Sequence, residues 1–297
     1  MNIKEYLQQK RDLVDSWIEG YLPKSAGYTV KLTESMSYSL MVGGKRLRPI
    51  LCIAGAEALG KDQSYVIPAA CAIEFIHTYS LIHDDLPLMD NDDLRRGQPT
   101  NHIVFGNPTA ILAGDGLLTE AFHILATGKY NPEVSPERKL KVISIMSNYA
   151  GYNGMVGGQE ADMKAQGCKV DDIDHVRFIH ESKTAALISA ALISGSVLAG
   201  ASELEEHQLA KYAHAIGLAF QIADDILDIE GDSKTLGKNT GLDMILGKAT
   251  YPSVIGIEES KNIMKNLITE AVSSIETFGI KAEPLRELAY YIADRKK

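Results

Sequence analysis

The chain has 297 residues, 45% of them apolar, and a formal net charge of −9. A sizeable core can be buried, in one large domain or at the length where chains begin to divide. The acidic balance argues against nucleic acid as a partner and against a basic helix lying on a membrane, so any cations that matter must act locally.

The first residues, Met1 to Leu7, carry charge from Lys4 onward and lack the apolar stretch of a signal peptide. Gly43-Gly44-Lys45-Arg46-Leu47-Arg48 leads into Pro49, which suits the first turn of a helix ending at Gly60. Ile67, Ala70, Ile73, Phe75, Ile76, Tyr79 and Ile82 then recur at helical spacing with a wide apolar face. Loops are expected near 91–107, 129–138, 166–174 and 231–247. Between them, Ala185 to Ser202 contains no charge and is about long enough to cross a membrane. Its Ser189, Ser194, Gly195, Ser196 and Gly200 favour instead the buried central helix of a helical protein, with no stable membrane insertion. Ala210 to Ile229 repeats the amphipathic helical pattern. No alternating strand series, repeat or linker interrupts this series. The expected fold is all-α, a single domain over residues 1–297 with roughly ten or more helices. Cys52, Cys71 and Cys168 are odd in number and lack metal spacing, so they are read as core thiols of a reducing, cytoplasmic protein.

Two aspartate clusters carry the chemical signal. Asp84-Asp85-Leu86-Pro87-Leu88-Met89-Asp90 ends one apolar run, and Asp224-Asp225-Ile226-Leu227-Asp228 ends another. Carboxylates at the ends of apolar helices repel one another and are costly to desolvate unless something positive holds them. Mg²⁺ takes oxygen ligands and couples carboxylates to phosphates, which fits that need. Asp224 and Asp228 share a helix face at i, i+4, with Gln221 one turn earlier. Asp84 and Asp90 are six apart, on different faces of a regular helix, but Pro87 disfavours helix at Leu86 and the resulting break can return Asp90 to Asp84. His77, Ser80 and Asp84 form a stripe at i, i+3, i+7. Lys45, Arg46, Arg48, Arg95, Arg96, Lys183, Lys238 and Lys248 offer phosphate contacts complementary to the acids. Taken singly, each is an ordinary solvated charge, and the second acidic cluster by itself is equally a solvated helix end.

Together these segments resemble the trans-prenyltransferases, the short-chain isoprenyl diphosphate synthases, most nearly the bacterial farnesyl type. The likeness rests on Gly43-Gly-Lys-Arg-Leu-Arg-Pro49, on His77-Thr-Tyr-Ser-Leu-Ile-His-Asp-Asp-Leu-Pro-Leu-Met-Asp-Asn-Asp-Asp-Leu-Arg-Arg-Gly97, and on Gly157-Gly158-Gln159 with Asp162. Lys183-Thr184, Gln221-Ile-Ala-Asp-Asp-Ile-Leu-Asp228, Lys238 and Lys248-Ala-Thr-Tyr-Pro252 complete the ordered series. Leu242 and Gly247 depart from the usual loop pattern.

The resemblance implies a bundle around a deep central cavity, working as a homodimer. It implies Mg²⁺, with Mn²⁺ able to substitute, held by Asp84, Asp85, Asp90, Asp224, Asp225 and Asp228. Asp84, Asp90, Lys183, Thr184, Gln221 and Asp224 would be the catalytic set. Arg95, Lys183, Gln221, Lys238 and Lys248 would meet the allylic diphosphate, and the oxygens of Thr184 and Gln221 would face the allylic cation. Lys45, Arg48, His77 and Arg96 would hold isopentenyl diphosphate. The substrates implied are isopentenyl, dimethylallyl and geranyl diphosphate, giving farnesyl diphosphate. Tyr79, five residues before Asp84 and so about 7 Å further along the helix, would stop chain growth, with Ser80 beside it. The alternatives are a geranylgeranyl or longer-chain synthase, and a catalytically silent partner subunit. Neither acidic motif looks degraded, as a silent subunit would require.

Overall fold

The computed structural model describes residues 1–22, 24, 27–167, 171–230 and 248–294. Cys168, Lys238, Leu242, Gly247 and the loop expected over 231–247 lie outside the described residues. Within them the protein is all-α apart from one small hairpin.

The chain opens with α1 (Ile3–Tyr21), α2 (Val30–Met41), α3 (Leu47–Ala58) and α4 (Ile67–Asp84). A two-stranded hairpin, β1 (Leu94–Arg95) and β2 (Gln98–Pro99), leads into α5 (Asn101–Phe105) and α6 (Asn107–Thr127). Next come α7 (Pro136–Ala150), α8 (Met155–Ala165) and α9 (Ile173–Ile179). A π-helical turn (His180–Ala185) joins α9 to α10 (Ala186–Ala199), which is followed by α11 (Glu203–Glu230). The described chain closes with α12 (Tyr251–Ile255), α13 (Ile257–Ser274) and α14 (Glu283–Ala293).

The region expected as a loop over 91–107 holds the hairpin and α5. Strands of two residues are too short for an alternating pattern to register. The hairpin is made by its turn: Arg96 (φ 56°) and Gly97 (φ 78°) both take positive φ, the geometry that matches strand twist in two-residue connections.

The uncharged helix is the centre of the molecule. Every residue from Ala186 to Ala199 is buried, and α10 packs against α3, α7, α11 and α4. Its small residues are explained by how closely α3 approaches. A Cβ on Gly195 would lie 1.9 Å from the Cys52 carbonyl oxygen, and one on Gly55 would lie 2.6 Å from that of Leu192. Each helix therefore presents a glycine to the other's backbone. Cys52 and Cys71 are buried thiols in this core, and burial raises both pKa values. Apolar side chains from Val14 in α1 to Ile292 in α14 belong to one buried cluster.

The helix ends carry their own signals. Ser135 caps α7 ahead of Pro136, and Thr250 and Ser253 form a reciprocal capping box at α12. At the start of α3, Arg46 sits in left-handed conformation (φ 49°) and is almost wholly buried. It donates to Asp15 at 2.7 Å, to Glu74 at 2.7 Å and to the Leu40 carbonyl at 2.6 Å. The entry into α3 is thus fixed by a buried ion pair, costly to break from one side.

The α3–α10 contact yields a direct expectation. Gly195→Ala forces the two backbones apart and should lower stability by roughly 1–3 kcal/mol, the usual cost of overpacking. The shift in the urea unfolding midpoint measures it; an unchanged midpoint would mean the two helices separate freely.

Candidate active site

Helix α4 ends at Asp84, as Pro87 foretells, and the chain then doubles back. The Asp90 N–H donates to the Asp84 carbonyl at 2.8 Å, while Met89 and Asn91 both donate to the Leu86 carbonyl. The break brings Asp90 beside Asp84, where a regular helix would separate them. Burial, with Asp90 and Asp85 nearby, raises the Asp84 carboxyl to about 6, against the opposing pull of Lys183 and Arg95.

Lys183 sits opposite. Its ammonium donates to Asp162 at 2.6 Å. Burial acts to lower its pKa, but Asp162, Asp84 and Asp90 outweigh that and raise it, so Lys183 is a firm cation. The π-helical turn bearing Lys183 and Thr184 is held very closely on two sides. A Cβ on Gly158 of α8 would fall 2.2 Å from the Lys183 backbone nitrogen, and one on Gly217 of α11 would fall 2.5 Å from the Ala185 Cβ. Asp162 stands one helical turn beyond Gly158, hence beside the lysine that Gly158 admits. This gives the Gly-Gly-Gln-x-x-Asp spacing a physical reason.

Thr184 reaches the second acidic motif. Its hydroxyl donates to Gln221 Oε1 at 3.0 Å, one turn before Asp224 and Asp225 on α11. The pair Lys183-Thr184 therefore spans the two motifs, with Asp84 and Asp90 acting on one residue and Gln221 bonded to the next.

The adjacent aspartates of each motif point differently. Asp85 is buried and accepts from Arg95 Nε at 2.8 and 2.9 Å. Asp225, 2% exposed, accepts from Gln221 Nε2 and from the Tyr251 backbone N–H, each at 3.1 Å. Both were expected among metal ligands; both are turned to donors of the protein. Arg95, expected at a diphosphate, is bonded to Asp85. His180, whose pKa burial lowers to about 4, stacks on the Tyr251 ring with centroids 5.4 Å apart.

A separate group of cations gathers around His77. Arg48 Nη1 lies 3.2 Å from His77 Nε2, and the buried Arg48 Nε has no protein partner among the described residues. Burial, aided by Arg48, Arg96, Arg95 and Arg46, drives the His77 pKa well below its ordinary value, leaving the ring neutral. Burial likewise lowers Arg48 to about 10; Arg96 adds to that, while Glu74 and Asp224 oppose it. Arg96 donates to the Gly43 carbonyl, and its guanidinium covers Gly44, where a Cβ would fall 2.7 Å from it. The paired glycines thus make room for Arg96. A neutral imidazole and two partly desolvated guanidiniums form a ready anion site, since an orphaned buried donor calls for an acceptor.

Lys45 lines a cleft of about 200 Å³ with Lys4, Arg11, Phe220 and Tyr291. Lys248, just before α12, and Asp228 on α11 are both engaged in interactions of their own. The Ser80 hydroxyl donates to the His77 carbonyl at 2.9 Å, which occupies it within its own helix. Tyr79 is buried, 7% exposed, with its ring edge-on to His83 at 5.7 Å. Sequence reasoning named Gly158 and Asp162 only as parts of a motif and missed the links of His180 and Tyr251 to Asp225. Gln159, named likewise only as part of that motif, has a buried amide with no partner among the described residues.

Oxygen-rich, partly desolvated carboxylates at Asp84 and Asp90 are the donor set a hard divalent cation takes. No three acidic, histidine or cysteine side chains converge as a ready-made metal cluster among the described residues.

The helical bundle and its ordered motifs have counterparts among known proteins. The polyprenyl synthetase family matches residues 29–279. The large subunit 1 of a heterodimeric geranylgeranyl pyrophosphate synthase from Arabidopsis thaliana chloroplasts is 46% identical over 294 residues, 98% of this chain and 79% of that one. Farnesyl diphosphate synthase of Bacillus subtilis is 44% identical over 293 residues, 99% of this chain and 98% of that one. The crystal structure of an apo FPP/GFPP synthase from Zymomonas mobilis superposes with a TM-score of 0.87 at 36% identity, covering 98% of this chain and 99% of the other. The chain belongs to the polyprenyl synthetase family and is a prenyltransferase.

The raised Asp84 carboxyl makes a prediction for the metal-free protein. Its folded pKa of about 6 exceeds the ordinary 3.8, so the folded state holds the proton more tightly between those values. Stability contributed by this group is present below pH 4 and is lost as pH rises through 6. Asp84→Asn should therefore stabilise the EDTA-treated protein at pH 7.5, by on the order of 1 kcal/mol after solvent screening, and the gain should vanish at pH 4. Thermal unfolding at the two pH values decides it; a loss of stability at pH 7.5 would show that Lys183 stabilises the carboxylate more than burial penalises it.

Proposed function

We propose that the protein condenses isopentenyl diphosphate first with dimethylallyl and then with geranyl diphosphate, releasing farnesyl diphosphate. The observation that carries this reading is the Lys183-Thr184 turn, which joins two acidic motifs, together with a second group in which Arg48 and Arg96 flank neutral His77. Two diphosphate sites are what a condensation of two diphosphates requires.

In this reading Mg²⁺ would be held by Asp84 and Asp90 on one side and by Asp224 and Asp228 on the other, and when bound it neutralises charge on the leaving diphosphate. Lys183 and Lys248 add positive charge to the same group, as would Lys238. The allylic carbon–oxygen bond then breaks. The oxygens of Thr184 and Gln221 face the resulting cation. Arg48 and Arg96 hold isopentenyl diphosphate, and neutral His77 contributes an N–H donor without a charge of its own. The isopentenyl double bond attacks the cation, and the released diphosphate accepts the proton lost in forming the new double bond. An apolar lining around the reacting carbons would keep water from the cation.

Chain length rests on Tyr79. A buried ring on α4, braced edge-on by His83 and about 7 Å along the helix from Asp84, is suited to block a growing tail. A twenty-carbon product is the second reading, supported by the names of the Arabidopsis relatives. A homodimer is favoured by α6. This helix is long and apolar, yet its Ile111 and Leu112 are exposed, as are Ile103 and Val104 of the adjoining α5.

Purified protein given Mg²⁺, isopentenyl diphosphate and each allylic starter should yield mainly fifteen-carbon product, read by chromatography after dephosphorylation, and EDTA should abolish turnover. Tyr79→Ala should extend the product to twenty carbons or more. An active Tyr79→Ala enzyme still stopping at fifteen would move the floor elsewhere.

The two anion sites are separable by kinetics. Arg48→Ala should chiefly raise KM for isopentenyl diphosphate, by about tenfold or more for a charged hydrogen bond. Lys183→Ala should chiefly impair use of the allylic substrate. Equal effects of each change on both substrates would contradict two distinct sites.

A further inference from the structure

Asp225 stands next to Asp224 and is held by donors of the protein. Its Oδ1 accepts from the Gln221 amide and its Oδ2 from the Tyr251 backbone N–H, both at 3.1 Å. The Gln221 Oε1 in turn accepts from the Thr184 hydroxyl at 3.0 Å. An amide has two ends of opposite polarity, and its neighbours decide which way it points. A carboxylate has only acceptors, so the Gln221 NH₂ must face Asp225 and the oxygen must face Thr184. His180 Nε2, 3.6 Å from Oδ2, is too distant for a hydrogen bond and closes this chain by stacking on Tyr251.

We propose that Asp225 is a positioning residue: it orients the Gln221 amide so that an oxygen dipole faces the allylic cation, and it ties that orientation to the segment Lys248 to Tyr251. This rests on the prenyl-transfer reading above. With the amide reversed, an N–H edge carrying partial positive charge would stand where the cation forms. The barrier to ionisation would rise, and a poorly held cation would be exposed longer to water. Capture by water forms a carbon–oxygen bond, releases a proton and leaves an allylic alcohol with free diphosphate.

Asp225→Asn is the decisive change. Asparagine offers one acceptor and one donor group. If its oxygen keeps Tyr251, its NH₂ faces Gln221 and the glutamine amide must flip. The expected result is a fall in kcat of about tenfold or more, with KM for the allylic diphosphate within about twofold, since ground-state binding is retained. The Mg²⁺ concentration giving half-maximal activity should be unchanged, and the share of allylic substrate released as alcohol should rise. Asp225→Asn with Gln221→Glu should restore kcat, because glutamate accepts from the asparagine NH₂ and still presents an oxygen to Thr184, at the same number of carboxylates. Gln221→Met leaves the Asp225–Tyr251 contact in place and should reproduce the fall in kcat and the alcohol leak, whatever the folding of the Asp225 variants.

Normal kcat in Asp225→Asn or in Gln221→Met overturns the proposal. So does a half-saturating Mg²⁺ concentration raised about tenfold with kcat recovered at high Mg²⁺, which would make Asp225 a ligand. Failure of the double variant to restore kcat, with its circular dichroism unchanged, also overturns it. A wild-type protein that forms no prenyl product would sink the underlying reading instead.

Discussion

Lys183 and Thr184 reach the site because the turn that bears them is wound wider than an α-helix and is held at two glycines. A π-helical turn inserts one extra residue into the helical register and shifts the side chains that follow. Here it lies between α8 and α11, where Gly158 and Gly217 allow backbone contact that any side chain would prevent. From that one seating follow the ion pair of Lys183 with Asp162, the attraction of Asp84 and Asp90 toward the same ammonium, and the hydrogen bond from Thr184 to Gln221. Because α10 continues directly from the turn and is buried along its whole length, the site inherits the rigidity of the core.

The electrostatics divide neighbouring residues into unlike roles. Arg46 is locked into the core by Asp15, Glu74 and the Leu40 carbonyl, whereas Arg48, two residues on, keeps an orphaned Nε beside His77. Asp84 is raised by burial and by Asp90, whereas Asp85 is turned to Arg95. The hairpin turn at Arg96 and Gly97 sends Arg95 to Asp85 and Arg96 to Gly43.

Much of the fold is legible in the residue order. Proline and glycine punctuation and helical periodicity mark α3 and α4 to within two residues, and the uncharged stretch marks α10. These signals are local: a helix buries one face and declares it by spacing. The hairpin and α5 lie where a loop is expected, because elements of two and five residues are too short to leave a periodic trace. The π-helical turn leaves no trace either, since the extra residue is stabilised by packing against Gly158 and Gly217.

The sequence by itself determined the inventory of chemistry: two acidic motifs, a set of cations, and a proline that breaks α4 between Asp84 and Asp90. Only the tertiary structure decided which members of that inventory work together. Residues one position apart on a helix differ in direction by about 100°, so Asp84 and Asp85, or Asp224 and Asp225, meet different partners although they read alike. Those partners come from distant segments, Lys183 for Asp84 and Tyr251 for Asp225. No local spacing encodes their approach, because it is set by how closely the helices pack.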